Sequence, residues 1–182
     1  SSRALFNVPR GDGPPPTMPG VISACSALEK TVICLMIEKK PRNGEFTLPV
    51  RVYIEDTDAG GIVYYVNYLK FMERARTEFL RTLGYQHYVL ADENFQFVVH
   101  SANVQYRQPA RIDDALAVTA RLKQLGKATL FFDQQVRRGD TLLCQAEIKV
   151  ACVSADTLRP TGIPVGLYNK FKAASEGEGL NG

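Results

Sequence analysis

"VRVYIEDTDAGGIVYYVNYLKFMERARTEFLRTLG", residues 50–84, holds two hydrophobic periods joined by an acidic, glycine-bearing link. Val50, Val52 and Ile54 alternate with Arg51, Tyr53 and Glu55, the period of two that predicts a half-buried strand. Beyond Asn67 the period changes. Tyr68, Met72, Ala75, Phe79 and Leu83 recur at spacings of three and four, while Lys70, Glu73, Arg74, Thr77 and Arg81 face the other way. Gly84 supplies a stop signal. The stretch therefore reads as a strand, a loop carrying Glu55, Asp56, Asp58, Gly60 and Gly61, and one long helix.

Further strands follow. Leu116, Val118, Ala120 and Leu122 alternate, and so do Leu142, Cys144, Ala146, Ile148, Val150 and Cys152. "KATLFFDQQVRR" (127–138) lies between them, ahead of the turn at Gly139-Asp140. "FQFVVHSANVQYRQ" (95–108), stopped by Pro109, is the fifth strand candidate. "HYVLADE" (87–93) reads as a short helical turn and "VGLYNKFKAA" (165–174) as a short helix. The links are too short for helical crossovers, so an antiparallel sheet is expected. One helix packed on one face of that sheet is an α+β architecture. Its free edge favours pairing between two subunits.

The 182 residues fit one domain with tails, and the net charge of +3 has no basic run to point to nucleic acid. Two histidines, His87 and His100, cannot furnish a multi-histidine metal site. Cysteines at 25, 34, 144 and 152 show no C-x-x-C spacing, so a reduced, cytoplasmic protein is the economical reading. "RGDGPPPTMPG" (10–20) is turn- and polyproline-prone. The apolar run after it is broken by Glu29 and Lys30 and falls short of a spanning helix. We expect residues 1–46 to be a disordered or dispensable extension, 47–174 the folded domain and 175–182 a disordered tail.

The link joining strand to helix has several readings. Asp and Gly are the commonest turn residues, and composition alone makes it a mere connection. As a calcium loop it fails at position twelve, where Asn67 stands in place of a bidentate Glu. A D-x-D phosphatase site would follow a buried parallel strand, and this strand alternates. Acyl transfer suits the physics better. Gly60 and Gly61 allow close approach to the backbone, and the helix start offers unpaired N–H groups and the positive end of its dipole. An oxygen gaining negative charge is stabilised there. Asp58 beside it could attack a carbonyl or activate a water. No G-x-S-x-G elbow competes for that role.

The same stretch closely resembles the YbgC-type acyl-CoA thioesterases, relatives of 4-hydroxybenzoyl-CoA thioesterase with the hot-dog fold. The resemblance continues in "QPARIDD" (108–114) and "RPTGIP" (159–164), and covers roughly residues 47–174. It implies a five-stranded antiparallel sheet wrapped around the long helix, and homodimers or homotetramers with sites at the subunit interface. The family's catalytic aspartate falls on Asp58. Its backbone oxyanion donor falls on Tyr65, where many YbgC-type members carry histidine and the hydroxybenzoyl relatives carry tyrosine.

The remaining polar residues have structural readings. Asp56 orders the loop. Glu73 and Arg76 form solvated or interface salt bridges. Tyr64 and Tyr68 pack, and Pro109-Ala110-Arg111 ends a strand, with Arg111 a candidate contact for a CoA phosphate. His100 is a packed or edge histidine. The expected function is hydrolysis of an acyl-CoA to CoA and a carboxylic acid, with no metal or redox cofactor. The alternatives are a hot-dog protein that binds acyl-carrier protein, with little or no catalysis, and a hot-dog acyl dehydratase.

Overall fold

The computed structural model describes residues 45–85 and 94–176. Five strands and two helices follow in chain order: β1 (Glu45–Arg51), α1 (Tyr65–Thr82), β2 (Gln96–Tyr106), β3 (Ala115–Leu125), β4 (Thr129–Arg138), β5 (Thr141–Val153) and α2 (Val165–Ser175). The strands form one antiparallel sheet in the order β1-β3-β4-β5-β2. This is the α+β arrangement that the two hydrophobic periods predict. The alternating residues of β3, β4 and β5 put Val118, Leu130, Phe132, Val136 and Ile148 into the core. There they meet Phe71, Met72, Ala75 and Phe79 of α1, and the rings of Phe79 and Phe132 sit edge to face at 5.9 Å. From the other end of the chain, α2 adds Leu167 and Phe171 to the same core.

Alternation overreaches at one place. Ile54, expected to face the core, is 75% exposed, because β1 ends at Arg51 and residues Ile54–Asp56 form a 3₁₀ turn. The cause is local. The Asp56 carboxylate accepts the Tyr53 N–H at 2.9 Å and the Asp56 N–H donates to the Tyr53 carbonyl at 3.0 Å. Two hydrogen bonds over three residues close a turn before the strand can continue. At its other end β1 begins at Glu45, and Phe46 is buried in the core. The other residues expected in the extension, the tail beyond Glu176 and the proposed turn at 87–93 lie outside the described residues.

Arg76 corrects a second expectation. It is buried, not solvated, and its Nη1 donates to Oε1 of Gln134 at 2.6 Å. Gln134, fully buried on β4, donates in turn to the carbonyls of Met72 and Thr119 at 3.0 and 3.1 Å. One amide thus ties a helix carbonyl, a helix guanidinium and the neighbouring strand together. Burial holds the Arg76 pKa below its ordinary value, against the opposing pull of Glu73. Cys144 and Cys152 are free thiols in the same interior, and burial pushes Cys144 up to about 12. No described helix is long and apolar enough to cross a membrane.

Removing the amide while keeping the cation isolates the energetic role of this network. Gln134→Leu leaves a buried guanidinium with a lost acceptor, and we expect it to lower the unfolding free energy by about 3 kcal/mol. Urea unfolding of the two proteins measures it; equal midpoints would mean that Arg76 finds water instead.

Candidate active site

The loop between β1 and α1 is a small closed hairpin rather than an open connection. Thr57 and Val63 form an antiparallel bridge, the Asp58 N–H donates to the Ile62 carbonyl at 2.9 Å, and the Gly61 N–H donates to the Asp58 carbonyl at 3.0 Å. Within the turn, Oδ1 of Asp58 accepts the Gly60 N–H at 2.8 Å. Its second oxygen, Oδ2, has no hydrogen bond within the described residues. The carboxylate is therefore exposed, oriented by one bond and open on its other side.

The two glycines have different reasons. A Cβ on Gly60 would lie 3.1 Å from Oδ1 of Asp58, so the carboxylate would have to shift by a few tenths of an ångström. Gly61 has φ +73°, a left-handed conformation that side chains disfavour, and open space where a Cβ would point. The close approach expected of this pair is thus joined by a local demand: the φ of Gly61 shapes the turn, and the absence of a side chain at Gly60 leaves the Asp58 carboxylate uncrowded.

Asp56 does the ordering expected of it, and does it with its main chain as well. Its carbonyl accepts the Tyr64 N–H at 2.9 Å and Nδ2 of Asn67 at 2.8 Å. That clamps the entry into α1. Past the clamp, Tyr64 occupies the N-cap position and makes no side-chain capping bond. The N–H groups of Tyr65 and Val66 have no acceptor among the described residues. Two backbone donors at the positive end of an 18-residue helix can therefore receive an anionic or carbonyl oxygen.

The QPARIDD segment does more than end a strand. β2 already stops at Tyr106, and residues 110–114 seat the site loop from behind. Val63 N–H donates to the Ala110 carbonyl at 2.9 Å, Ile62 bridges Arg111, and the Ala110 N–H donates to the Tyr68 hydroxyl at 2.9 Å. Asp114 accepts the Arg111 N–H at 2.8 Å and Nη1 of Arg138 at 2.7 Å. Burial acts to raise the Asp114 pKa, yet the hydrogen bonds from Arg111 and Arg138 and their two charges outweigh it and hold the carboxyl below its ordinary value.

Aromatic rings surround the helix start. Tyr68 packs as expected, but Tyr64 is exposed, with its ring centroid 4.8 Å from that of Tyr65. Tyr106 of β2 was not singled out by the sequence; its ring lies 5.7 Å from Tyr68 and 6.2 Å from Tyr65. His100 is exposed on β2 as the extra residue of a bulge between Val99 and Ser101, and His87 lies outside the described residues. Among the described residues no three His, Cys, Asp or Glu side chains gather as a metal site.

Comparison with known proteins identifies the family and the fold. The family model of the thioesterase-like superfamily matches residues 52–171, and the chain belongs to that family. Among its relatives, the acyl-CoA thioesterase YbgC of Haemophilus influenzae is 44% identical over 120 residues, 65% of this chain and 88% of that protein. The acyl-CoA thioester hydrolase YbgC of Escherichia coli O6:H1 is 41% identical over 128 residues, 70% of this chain and 96% of the relative. The crystal structure of a probable thioesterase from Bartonella henselae superposes with a TM-score of 0.64 at 34% identity, covering 66% of this chain and 99% of the other. The sheet with its long helix is the hot-dog fold that the resemblance implied.

The Asp114 clasp gives the site loop a pH dependence with a defined sign. A carboxyl whose folded pKa is depressed stabilises the protein above its unfolded value of ~3.9 and loses that contribution as pH falls through the folded one. Asp114→Asn should therefore melt lower than wild type at pH 7, by about 1 kcal/mol for a partly exposed pair. The gap should close in acid. A gap independent of pH, followed by thermal melts from pH 7 to 2, would remove the charge from the explanation.

Proposed function

We propose that the chain is an acyl-CoA thioesterase, hydrolysing a thioester to free CoA and a carboxylic acid, with Asp58 and the Tyr65 N–H as its working groups. The observation that carries this reading is a half-free, oriented carboxylate in the same loop that leads into an uncapped helix N-terminus. The relatives' names support the reaction class. The thioester carbonyl oxygen sits against the Tyr65 N–H and gains negative charge as its carbon turns tetrahedral. Oriented backbone donors stabilise that charge with little reorganisation. Asp58 either attacks the carbon, giving an acyl anhydride that water then opens, or takes a proton from the attacking water. In both routes the CoA sulfur leaves with the electron pair of the broken C–S bond. Gly60 and Gly61 leave the space that the thioester enters.

The substrate-bearing unit is proposed to be a homodimer or a homotetramer of it. The two sheet edges differ in what they offer. β1 carries Pro49 and spans seven residues, whereas β2 spans eleven without proline and exposes Val99. A prolyl residue blunts an edge, so a second copy pairs along β2. Acyl groups presented on acyl-carrier protein share the thioester and are substrates of the same chemistry. A site assembled beside β2 draws on the helix start of one copy and the edge of both.

Thiol release from a panel of acyl-CoAs tests the assignment of roles. Asp58→Asn keeps the shape of the carboxylate but removes its charge, and turnover should fall ~10²-fold or more. Asp56→Asn should lower the melting temperature and leave most of the turnover. Equal, mild losses from both changes in folded proteins would sink the assignment.

A further inference from the structure

Tyr106 stands at the end of β2, the edge strand, and reaches a different element. Its hydroxyl donates to the main-chain carbonyl of Tyr65 at 3.2 Å. That carbonyl already belongs to the first turn of α1, where in a regular helix it serves the N–H four residues on. A second donor there is not needed to satisfy it. The peptide group it belongs to, however, also contains the Val66 N–H, one of the two unpaired donors at the helix start. A donor on the oxygen of a peptide plane restrains the tilt of that plane and polarises its N–H.

We infer that Tyr106 is a positioning residue for the reaction: its hydroxyl holds the Tyr65–Val66 peptide so that the Val66 N–H, a second donor beside that of Tyr65, faces the developing oxyanion. This inference rests on the proposed thioesterase reading. It also links two features otherwise separate, the edge on which a second copy is proposed to pair and the donors on which turnover depends. The ring is fixed for this task from two sides, edge to face against Tyr68 and Tyr65 at 5.7 and 6.2 Å. At 3.2 Å the bond is longer than the ~2.7–2.8 Å usual between two oxygens. It has room to shorten as charge develops, which is where catalytic hydrogen bonds in free enzymes commonly tighten.

The phenol must be protonated to donate. Burial, with smaller contributions from Cys144 of β5 and from Tyr65 and Tyr68 of α1, holds its pKa above the ordinary tyrosine value. Cys144 lies opposite Tyr106 in the β2–β5 register, and the rings of Tyr65 and Tyr68 flank it. Protonation is therefore retained through neutral and mildly alkaline pH.

Two replacements at position 106 separate positioning from packing, with Asp58→Asn assayed beside them. Tyr106→Phe keeps the ring contacts and removes the donor. It should lower kcat about three- to tenfold with KM and the melting temperature nearly unchanged, because the lost interaction matters most in the transition state. Incorporating 3,5-difluorotyrosine at 106 lowers the phenol's pKa, so kcat should gain an alkaline limb that follows phenolate formation read by ultraviolet absorbance. Tyr106→Phe should lack that limb. A wild-type kcat for Tyr106→Phe, or a fluorinated protein whose kcat ignores the ionisation, overturns the inference provided that Asp58→Asn is inactive. Absence of thiol release by the wild-type protein across the acyl-CoA panel overturns the thioesterase reading instead, and the inference falls with it.

Discussion

A helix begins with N–H groups that its own carbonyls cannot reach, and α1 begins without the side chain that would ordinarily answer them. A Ser, Thr, Asp or Asn at the N-cap is worth about 1 kcal/mol. Tyr64 stands there and caps nothing. The chain satisfies the Tyr64 N–H with the Asp56 carbonyl and leaves those of Tyr65 and Val66 open. Everything around that point serves to keep it rigid while it stays unsatisfied. The Thr57–Val63 bridge, the Asp58–Gly61 turn and the Ile62–Arg111 bridge form a closed frame leading into that helix start.

That frame is held by the core rather than by the loop itself. Tyr68 takes the Ala110 N–H on its hydroxyl and packs its ring against Phe71, so the segment behind the site is fixed to the second turn of α1. Further along, Gln134 pins the Met72 carbonyl and the Arg76 guanidinium to the middle of the sheet. A long helix anchored at two depths cannot slide along its axis. The position of its first peptide groups is then set by buried contacts, and the short loop that carries Asp58 leads directly into them.

Much of this could be read from the chain alone. The period of two in β3 and β5 and the three-four spacing of α1 give the fold class, because each depends on neighbours close in sequence. The turn-forming character of the D-T-D-A-G-G run was legible for the same reason, and the loop it forms is a closed hairpin. What escaped reading was decided by contacts between distant residues or by competition within a turn. Arg76 looked like a surface cation because its partner, Gln134, lies 58 residues away on β4. Tyr106 looked like one more strand residue, since the carbonyl it reaches is 41 residues earlier. Ile54 fitted the alternation, but the Asp56 carboxylate closes a turn at Tyr53 first. The tight space at Gly60 also needed coordinates, because the atom beside it belongs to the Asp58 side chain.

The central claim is that the open N–H of Tyr65, not its phenol ring, works on the substrate. Two substitutions at one position decide it. Proline is tolerated in the first turn of a helix, the Tyr65 N–H has no internal partner to lose, and Tyr64 already has the extended φ −60°, ψ 129° that a residue before proline prefers. The measurement is kcat for thiol release by Tyr65→Pro and Tyr65→Phe beside wild type, with melting curves to show that both are folded. The account predicts a loss of ~10²–10³ for proline, the cost of removing one oxyanion donor, and only a modest loss for phenylalanine. An active proline variant beside an inactive phenylalanine variant would contradict it, making the phenol the catalyst.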